Sequence, residues 1–501
     1  MSLCSWIVII ALYLPPSNQI KYDQSKLNQN EEVRVQSIIK LFSDHIRVHN
    51  IHVLRKESMR DPKYFCSRKY VNGREAGCSN LGNSVYSYLN GFLYSVVLNR
   101  TFFVSDEFSC ENSTLLNRYW IPKHSEIRSL LNISKCNDTR LVNDFIWPGQ
   151  PSILPQFYNR SYVIGTSFDY SCYLDKVELP TLSFSESELI PYKVFYDKAN
   201  LALGDSAKAK VLSLFSNEVA HDAYFESMGF AFHFTIGFSE EVQSTIHGLT
   251  SSLFPGGPHR SSGYLRYNAT NPGVEGGGGV AMTSESASTE RLVRSIQRLC
   301  VHYPLDTVTI AMHIRHFSLE SRSNPTLDQE LDSRFTSRLK AVLNEQFVGL
   351  RCRLLLASDR KASVLRLRSS ATALGCDVYT VPRGDLNVAD NVTDCFVKGE
   401  WNPYCLEQGP WRSGTLQVAD LLLLSHAQYF IGTGDSTYSH LIAYLLSLRR
   451  ASCHRNWMSS PVEFIPNRQG WSNISFHLLF SNPLIVSCPP DAVKRLSQSG
   501  R

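Results

Sequence analysis

The sequence predicts an α/β protein with two doubly wound domains, each a mainly parallel sheet covered by helices. The chain has 501 residues, which is more than a single hydrophobic core usually holds. Its C-terminal half alternates short, β-branched apolar runs with helical patterns, as successive βαβ units do. Near residue 77 a glycine-rich segment, a helical pattern and an apolar run follow one another, which is one step of the same arrangement.

The first 60 residues are predicted to lie outside the two domains. Residues 1–16 include a twelve-residue, mostly apolar stretch that suits a signal sequence or a short membrane anchor, although no Lys or Arg precedes it. The alternative is a buried apolar segment. Residues 17–60 are polar and charged, with a weakly amphipathic helix from about Glu31 to His45, and are predicted to form a stem or helical extension.

The N-terminal domain is predicted over residues 61–250. Its clearest element is a helix, because apolar residues recur at helical spacing at Val85, Tyr88, Leu89, Phe92, Leu93, Val96 and Val97. Before this helix, Gly77 and Gly82 have the spacing of a P-loop, but Asn83 stands at the lysine position and excludes one. Gly82 and Asn83 either permit a tight turn or form a loop that faces the interdomain cleft and helps to hold an acceptor.

The C-terminal domain is predicted over residues 289–488, after a flexible junction at 251–288 that is rich in Gly, Pro and Ser and before a tail at 489–501. A loop rich in Cys, Pro and Trp is predicted at 382–410. The predicted elements are helix 289–302, strand 307–312, helix 328–346, strand 353–357, helix 361–374, strand 377–381, helix 412–426, strand 429–431 and helix 436–448.

The tripeptide His313-Ile314-Arg315 directly follows the predicted strand 307–312. Residues two apart on a strand share a face, and ligands of open α/β sheets bind at the carboxyl ends of strands. A guanidinium fixed there can grip a phosphate through paired hydrogen bonds. The passage therefore predicts a nucleoside-diphosphate site, the alternative being a solvated arginine and a hydrogen-bonded core histidine.

A second passage that suits an anion is Ser436-Thr437-Tyr438, at the start of a predicted helix. The N-terminus of a helix carries a partial positive charge, and backbone N–H groups and hydroxyls there bind phosphate. Ser436 also suits a helix N-cap, and both roles are compatible.

Cysteines and sequons favour the secretory pathway. Apart from Cys4 there are twelve cysteines, none in a Cys-x-x-Cys pair, which favours disulfides over metal sites. The eight Asn-x-Ser/Thr sequons add support for the secretory pathway and begin at Asn99, Asn112, Asn132, Asn137, Asn159, Asn268, Asn391 and Asn473.

The net charge of +5 is small and scattered, so nucleic acid is not expected as a ligand.

Several motifs of other enzyme classes do not occur in the sequence. There is no Asp-x-Asp pair of the kind that holds a metal on a sugar nucleotide, and neither Gly-x-Ser-x-Gly nor His-Glu-x-x-His is present. A diphosphate leaving group without a metal needs its charge met by arginine and helix N-termini, and this chain offers both.

In this order, His313-Ile314-Arg315, residues 354–359 and residues 420–439 resemble the three C-terminal motifs of the GDP-fucose-dependent fucosyltransferases. That superfamily includes α1,2-, α1,6- and protein O-fucosyltransferases. Leu81-Gly82-Asn83, its helix and residues 99–104 are similar to the N-terminal motif, most of all in the plant α1,2 branch. The resemblance covers about residues 64–448. It implies the GT-B fold, in which two Rossmann-like domains face across a cleft, and an inverting hexosyltransferase that needs no metal or other cofactor.

The resemblance also implies roles for individual residues. Arg315 would meet the β-phosphate of GDP and stabilise the departing charge, and His313 would lie against the nucleotide-sugar. Asp420 would help to hold the guanosine, and Ser436, Thr437 and Tyr438 would bind the diphosphate. The complete implied set for GDP-fucose is His313, Arg315, Asp359, Asp420, Ser436, Thr437 and Tyr438.

The chain departs from the family pattern at three places. His316 stands where several members have a second arginine, Phe317-Ser318 where they have a carboxylate, and Ser84 where plant enzymes have an arginine. Glu320 and Asp328 are the nearest downstream carboxylates and the candidates for a general base.

The expected function is transfer of fucose from GDP-fucose to a hydroxyl of a glycan or glycoprotein in the ER or Golgi lumen. Two alternatives stay open. One is a GT-B enzyme with another nucleotide-sugar donor, and the other is a catalytically inactive secreted binding glycoprotein on the same fold.

Overall fold

The computed structural model describes fourteen continuous ranges and five single positions of the chain. The ranges are 38–74, 81–105, 120–122, 162–164, 181–184, 220–238, 303–304, 306–316, 325–380, 396–397, 400–401, 410–434, 436–452 and 462–465, and the single positions are 127, 130, 242, 244 and 246. The predicted anchor at 1–16, junction at 251–288, helix 289–302 and tail at 489–501, and most of the predicted loop at 382–410, lie outside these residues.

The described residues form both helices and strands. The helices are α1, whose described part covers 38–49, α2 (Ile51–Arg60), α3 (Pro62–Ser67), α4 (Leu81–Leu98), α5 (Ala220–Thr235), α6 (Pro325–Glu345), α7 (Lys361–Ala373), α8 (Pro410–Leu424) and α9 (Thr437–Ser452). The strands are β1 (Tyr70–Arg74), β2 (Thr101–Ser105), β3 (Trp120–Pro122), β4 (Tyr162–Ile164), β5 (Thr181–Phe184), β6 (Ile236–Phe238), β7 (Thr307–Ile314), β8 (Arg351–Ser358), β9 (Cys376–Tyr379), β10 (Phe396–Val397), β11 (Glu400–Trp401), β12 (Tyr429–Thr433) and β13 (Val462–Ile465).

The C-terminal sheet has the strand order β13-β12-β7-β8-β9, and every neighbouring pair in it is parallel. Counted along the chain from β7, the order reads 5-4-1-2-3, which is the order of a Rossmann sheet. The order reverses between β7 and β12, and in such sheets a crevice for ligands opens beyond the carboxyl ends of the two strands at that point. The prediction of an α/β protein with parallel sheets is confirmed, and two doubly wound domains stay a prediction.

Helix α6 covers one face of the C-terminal sheet. Val308, Ile310 and Met312 alternate along β7 and belong to one buried cluster with Leu331 and Phe335 of α6. Strands buried on both faces are apolar throughout, which is why the run at 307–312 could be recognised in the sequence. The strand extends to Ile314, so His313 lies inside β7 and Arg315 directly follows it.

The N-terminal sheet has the order β2-β1-β5-β4, again with parallel neighbours. Helix α1 is part of this folded region, since Phe42 is fully buried and stacks on Phe92 of α4 and Phe234 of α5 with ring centroids 5.5 and 5.4 Å apart. The folded region therefore includes residues that were predicted to belong to a stem or helical extension, and packing begins before residue 61.

Helices α5 and α9 connect the two predicted domains directly. A Cβ on Gly229 of α5 would lie 2.4 Å from the carbonyl oxygen of Tyr444 on α9, so only glycine allows this approach. Beside it the rings of Phe225 and Tyr444 pack with centroids 5.4 Å apart. The GT-B cleft itself stays a prediction.

Candidate functional site

Apart from Asp420, the predicted donor residues of the C-terminal half lie close together where β7, β8 and β12 end. Within the sheet His313 pairs with Gly432 of β12, and Ile314 pairs with Ser358 of β8. Arg315 and Asp359 are consequently the first residues beyond two neighbouring strands, beside the point where the strand order reverses. The fold thus places these two residues where Rossmann-like sheets bind nucleotides.

Arg315 is fixed at both its backbone and its side chain. Its backbone N–H donates to Oγ1 of Thr433 at 2.9 Å, which ties the end of β7 to the end of β12. Its guanidinium lies 3.1 Å from Oδ2 of Asp359. The arginine side chain is still 28% exposed, against 12% for the aspartate. It is therefore held at two points while part of its side chain stays exposed.

His313 is held against the start of α9. Its Nδ1 lies 2.6 Å from Oγ of Ser439, and its ring packs on the ring of Tyr438 with centroids 4.7 Å apart. Ser439 also accepts a hydrogen bond from the backbone N–H of Thr433 at 3.2 Å. His313 is only 6% exposed, so it lies in the buried part of the site.

Helix α9 begins at Thr437, one residue after Ser436. Oγ of Ser436 accepts a hydrogen bond from the backbone N–H of Ser439 at 3.4 Å, which is the geometry of an N-cap. Thr437 and Tyr438 consequently form the first turn, at the end of the helix that carries the partial positive charge of its dipole. The contacts of His313 bring this end of α9 next to the carboxyl end of β7.

Gly82 lies against the same end of α9. A Cβ on Gly82 would sit 2.5 Å from Oγ1 of Thr437 and 2.9 Å from the backbone nitrogen of Tyr438, so glycine is required by close approach. Gly82 and Asn83 were predicted to lie in a loop, but α4 begins at Leu81 and both residues belong to its first turn. The N-termini of α4 and α9 therefore meet at the site. A role for Gly82 and Asn83 in holding an acceptor stays a prediction.

Helix α8 also reaches this region, through Tyr438. The Tyr438 hydroxyl donates a hydrogen bond to the backbone carbonyl of Gln417. Asp420 lies three residues further along α8, on the same face as Gln417, and is buried with 4% exposure. Its predicted contact with guanosine stays a prediction, but the structure brings its helix face to the start of α9.

Behind Arg315 lies a buried cluster of charges centred on His316, whose side chain is 1% exposed. Oδ1 of Asp359 accepts from the backbone N–H of His316 at 3.1 Å and lies 3.0 Å from its Nδ1. On the other side of the ring, Nε2 lies 3.2 Å from Oγ of Ser363 and 3.5 Å from Oδ1 of Asp332. The next carboxylate, that of Asp328, is 4.0 Å from Nε2.

These contacts determine the protonation of the cluster. Burial alone lowers the pKa of His316, but its contacts with Asp332 and Asp359 and the charges of Asp359 and Asp328 outweigh burial and raise that pKa to about 9. Burial raises the pKa of Asp359, yet hydrogen bonding to His316 and the charge of Arg315 lower it overall. At neutral pH the imidazole is therefore a cation and Asp359 an anion.

Two arginines complete the cluster from α7 and from the residue before it. Arg366 donates from Nε to Oδ2 of Asp332 at 2.8 Å and from its terminal nitrogen to Oγ of Ser363 at 3.0 Å. Nε of Arg360 lies 4.0 Å from Oδ2 of Asp328. Asp328, predicted as one candidate base, is thus engaged within this cluster, while the other, Glu320, lies outside the described residues.

Sequence patterns missed several residues that build the site. Thr433 and Ser439 lie in the recognised C-terminal passage, where their hydroxyls suggested anion binding in general but not their contacts with Arg315 and His313. Asp332, Ser363 and Arg366 carry no local signal, because their partners come from other elements. His316 was noticed as a departure from the family pattern, and the structure shows what surrounds it.

Two kinds of feature are absent from the part of the chain that the structure describes. No group of three or more His, Cys, Asp or Glu side chains there is arranged to hold a metal ion. In the same ranges, no helix combines the length and the apolar character needed to cross a membrane.

No protein-family model and no curated protein sequence matches this chain. Among solved structures, it is similar to a mutant of Arabidopsis thaliana FUT1 in complex with GDP, with a TM-score of 0.42 and 11% identity over 82% of this chain and 77% of that one. It is similar to the NodZ alpha-1,6-fucosyltransferase from Bradyrhizobium co-crystallised with GDP, with a TM-score of 0.34 and 11% identity over 75% and 91% of the two chains. POFUT1 in complex with GDP-fucose gives a TM-score of 0.32 and 10% identity over 80% and 98%.

Of these proteins, NodZ is a fucosyltransferase, the family that the sequence motifs resemble.

Proposed function

We propose that this protein is an inverting, metal-independent fucosyltransferase that moves fucose from GDP-fucose to a hydroxyl of a glycan or glycoprotein. The observation that carries the proposal is the position of Arg315. Asp359 and Thr433 hold this partly exposed residue beside the point where the strand order of a Rossmann-type sheet reverses. A guanidinium in that position suits a diphosphate. The proposal that the donor carries guanosine and fucose rests on the resemblance of the sequence motifs to the GDP-fucose-dependent fucosyltransferases.

In the proposed reaction, the acceptor hydroxyl attacks C1 of fucose from the face opposite the GDP. A bond forms between the acceptor oxygen and C1 while the bond from C1 to the β-phosphate oxygen breaks, and GDP leaves with that electron pair. Arg315 and the positive end of α9 stabilise the charge that develops on the phosphate. The hydroxyl proton passes to a base, for which Glu320 is the remaining candidate because Asp328 is engaged with His316 and Arg360.

The proposed compartment is the lumen of the ER or Golgi, with residues 1–16 as a signal or short anchor. A disulfide joins Cys352 to Cys376, and Cys66 is also disulfide-bonded. Disulfides form and persist mainly in oxidising compartments, which supports a secretory location.

Nucleotide binding should be tested first, by isothermal titration of the luminal part with GDP, UDP and GDP-sugars. GDP should bind, and Arg315→Ala should weaken it about 100-fold because a charge-assisted contact to phosphate is lost. Arg368→Ala, which removes an exposed arginine of α7, is the matched control and should bind GDP as the parent does. Tighter binding of UDP than of GDP would favour a different nucleotide-sugar donor.

Turnover should be tested second, by following GDP release from GDP-fucose with and without glycan or glycoprotein acceptors. We expect slow release without an acceptor, faster release with the correct acceptor, and none in Arg315→Ala. GDP-fucose binding with no release under any of these conditions would indicate the inactive binding protein instead.

A further inference from the structure

His316 is the least exposed member of the charge cluster, and it touches carboxylates on both sides. Asp359 approaches its Nδ1 at 3.0 Å, and Asp332 approaches its Nε2 at 3.5 Å. Asp359 divides its two oxygens, with Oδ1 on His316 and Oδ2 on Arg315. One carboxylate therefore connects the buried histidine to the arginine at the proposed phosphate site.

We propose that His316 is a positioning residue, a buried cation that offsets the charge of Asp359 and so keeps the charge of Arg315 available to the diphosphate of the donor. The inference rests on the proposed function, because it concerns the same donor site. It gives a role to the position where the family resemblance has a second arginine.

The charges of the cluster support this role. Seven ionisable side chains face one another there, from the ends of β7 and β8 and from α6 and α7, and they are Arg315, His316, Asp328, Asp332, Asp359, Arg360 and Arg366. With a charged imidazole these seven carry one net positive charge, and with a neutral imidazole they carry none. Arg315 adjoins the proposed ligand crevice, so the surplus charge is felt there.

The connection through Asp359 supports it as well. If the imidazole lost its proton, Asp359 would have Arg315 as its principal cationic partner and would neutralise the guanidinium more completely. The contacts of the ring raise the pKa of His316 to about 9, so the cationic form prevails at neutral pH. GDP affinity should therefore fall as the pH rises through about 9.

Guanosine is the control ligand for this pH dependence. It shares the ring ionisation of GDP and lacks its phosphates, so the ratio of the two affinities isolates the phosphate contribution.

The test is titration of the full chain with GDP and with guanosine between pH 7.5 and pH 10. In the parent protein the affinity for GDP relative to guanosine should fall about tenfold over this range, the size expected from one partly screened charge. His316→Gln should already show the weakened GDP affinity at pH 7.5 and should vary little with pH. A parent profile without this fall, or the same fall in His316→Gln, would overturn the proposal.

Asp332→Asn provides a second variant in case His316→Gln fails to fold. It removes one carboxylate from the imidazole, so GDP binding at pH 7.5 should be kept while the fall moves to lower pH. An unchanged midpoint would also overturn the proposal. If the parent protein binds no GDP at pH 7.5, the proposed function fails and this inference fails with it. Binding that is insensitive to pH refutes the role of His316 alone.

Discussion

Replacement of Gly82 by alanine probes whether the meeting of α4 and α9 shapes the proposed nucleotide site. The new methyl carbon would lie 2.5 Å from Oγ1 of Thr437 and 2.9 Å from the backbone nitrogen of Tyr438. Ordinary contact distances begin at about 3.5 Å, so the two helix starts must separate by about 1 Å. Overpacking of this kind costs about 1–3 kcal/mol of stability.

The shift should also weaken GDP binding. Thr437 and Tyr438 form the first turn of α9, so moving them displaces the positive helix end relative to Arg315. Loss of one hydrogen bond to a charged phosphate is worth about 1.5–3 kcal/mol, which corresponds to a roughly 10- to 100-fold rise in Kd. The assay is isothermal titration with GDP, accompanied by thermal unfolding of the same samples.

Gly229→Ala is the matched control, because it strains the same helix away from the site. Its Cβ would meet the Tyr444 carbonyl at 2.4 Å, and Tyr444 lies seven residues beyond Thr437, or about 10 Å along the helix. Both variants should lower Tm, and only Gly82→Ala should weaken GDP binding. The reasoning is refuted if Gly82→Ala binds GDP like the parent protein, or if Gly229→Ala loses as much affinity.

Three further expectations concern stability and metal dependence. Glu463 accepts two hydrogen bonds of 2.5 Å from Arg338 and one from the Tyr429 hydroxyl. Glu463→Gln should therefore lower the free energy of unfolding by about 1–3 kcal/mol, measured in urea at pH 7. Asp377→Asn, which changes an exposed carboxylate, is the near-neutral control. Burial raises the pKa of Glu463, but its bonds to Arg338 and Tyr429 lower that pKa overall. The stabilisation is therefore present above the ordinary carboxyl pKa and is lost as the pH falls. A stability difference between the parent protein and Glu463→Gln that grows in acid would contradict the assignment. Replacing Cys352 and Cys376 together by serine removes a disulfide between residues 24 positions apart and should lower the free energy of unfolding by about 3 kcal/mol. GDP affinity should not change, because both cysteines lie at the start of their strands, at the end of the sheet opposite the site. Transfer activity should survive EDTA, whereas restoration by Mn²⁺ after its loss would indicate a metal-dependent transferase.

The alternation of strands and helices between residues 307 and 448 could be predicted because its physical basis is local. Strands β7 and β8 each contain a buried apolar run, and helices α6 and α9 repeat apolar residues at helical spacing. The ends were less accurate. Strand β7 continues to Ile314 rather than residue 312, because ladder pairing with β8 and β12 extends the strand beyond its apolar run.

The contacts within the site could be predicted only in part. His313 and Arg315 were identified because a strand end is a recognisable place for a ligand. Asp332 could not be connected to His316, since the two are brought together only by packing of α6 beside the sheet. For the same reason the sequence shows His316 as a missing arginine, and only its neighbours reveal that it is charged.

The burial of Phe42 has a practical consequence for preparing a soluble form of the protein. A chain cut at residue 61, where the sequence alone sets the domain boundary, would lose α1 and α2 and expose the rings of Phe92, Phe230 and Phe234 to water. Such a surface promotes aggregation, and a failed expression could then be mistaken for an inactive enzyme. Secreted forms for crystallisation and kinetics should therefore begin upstream of residue 38.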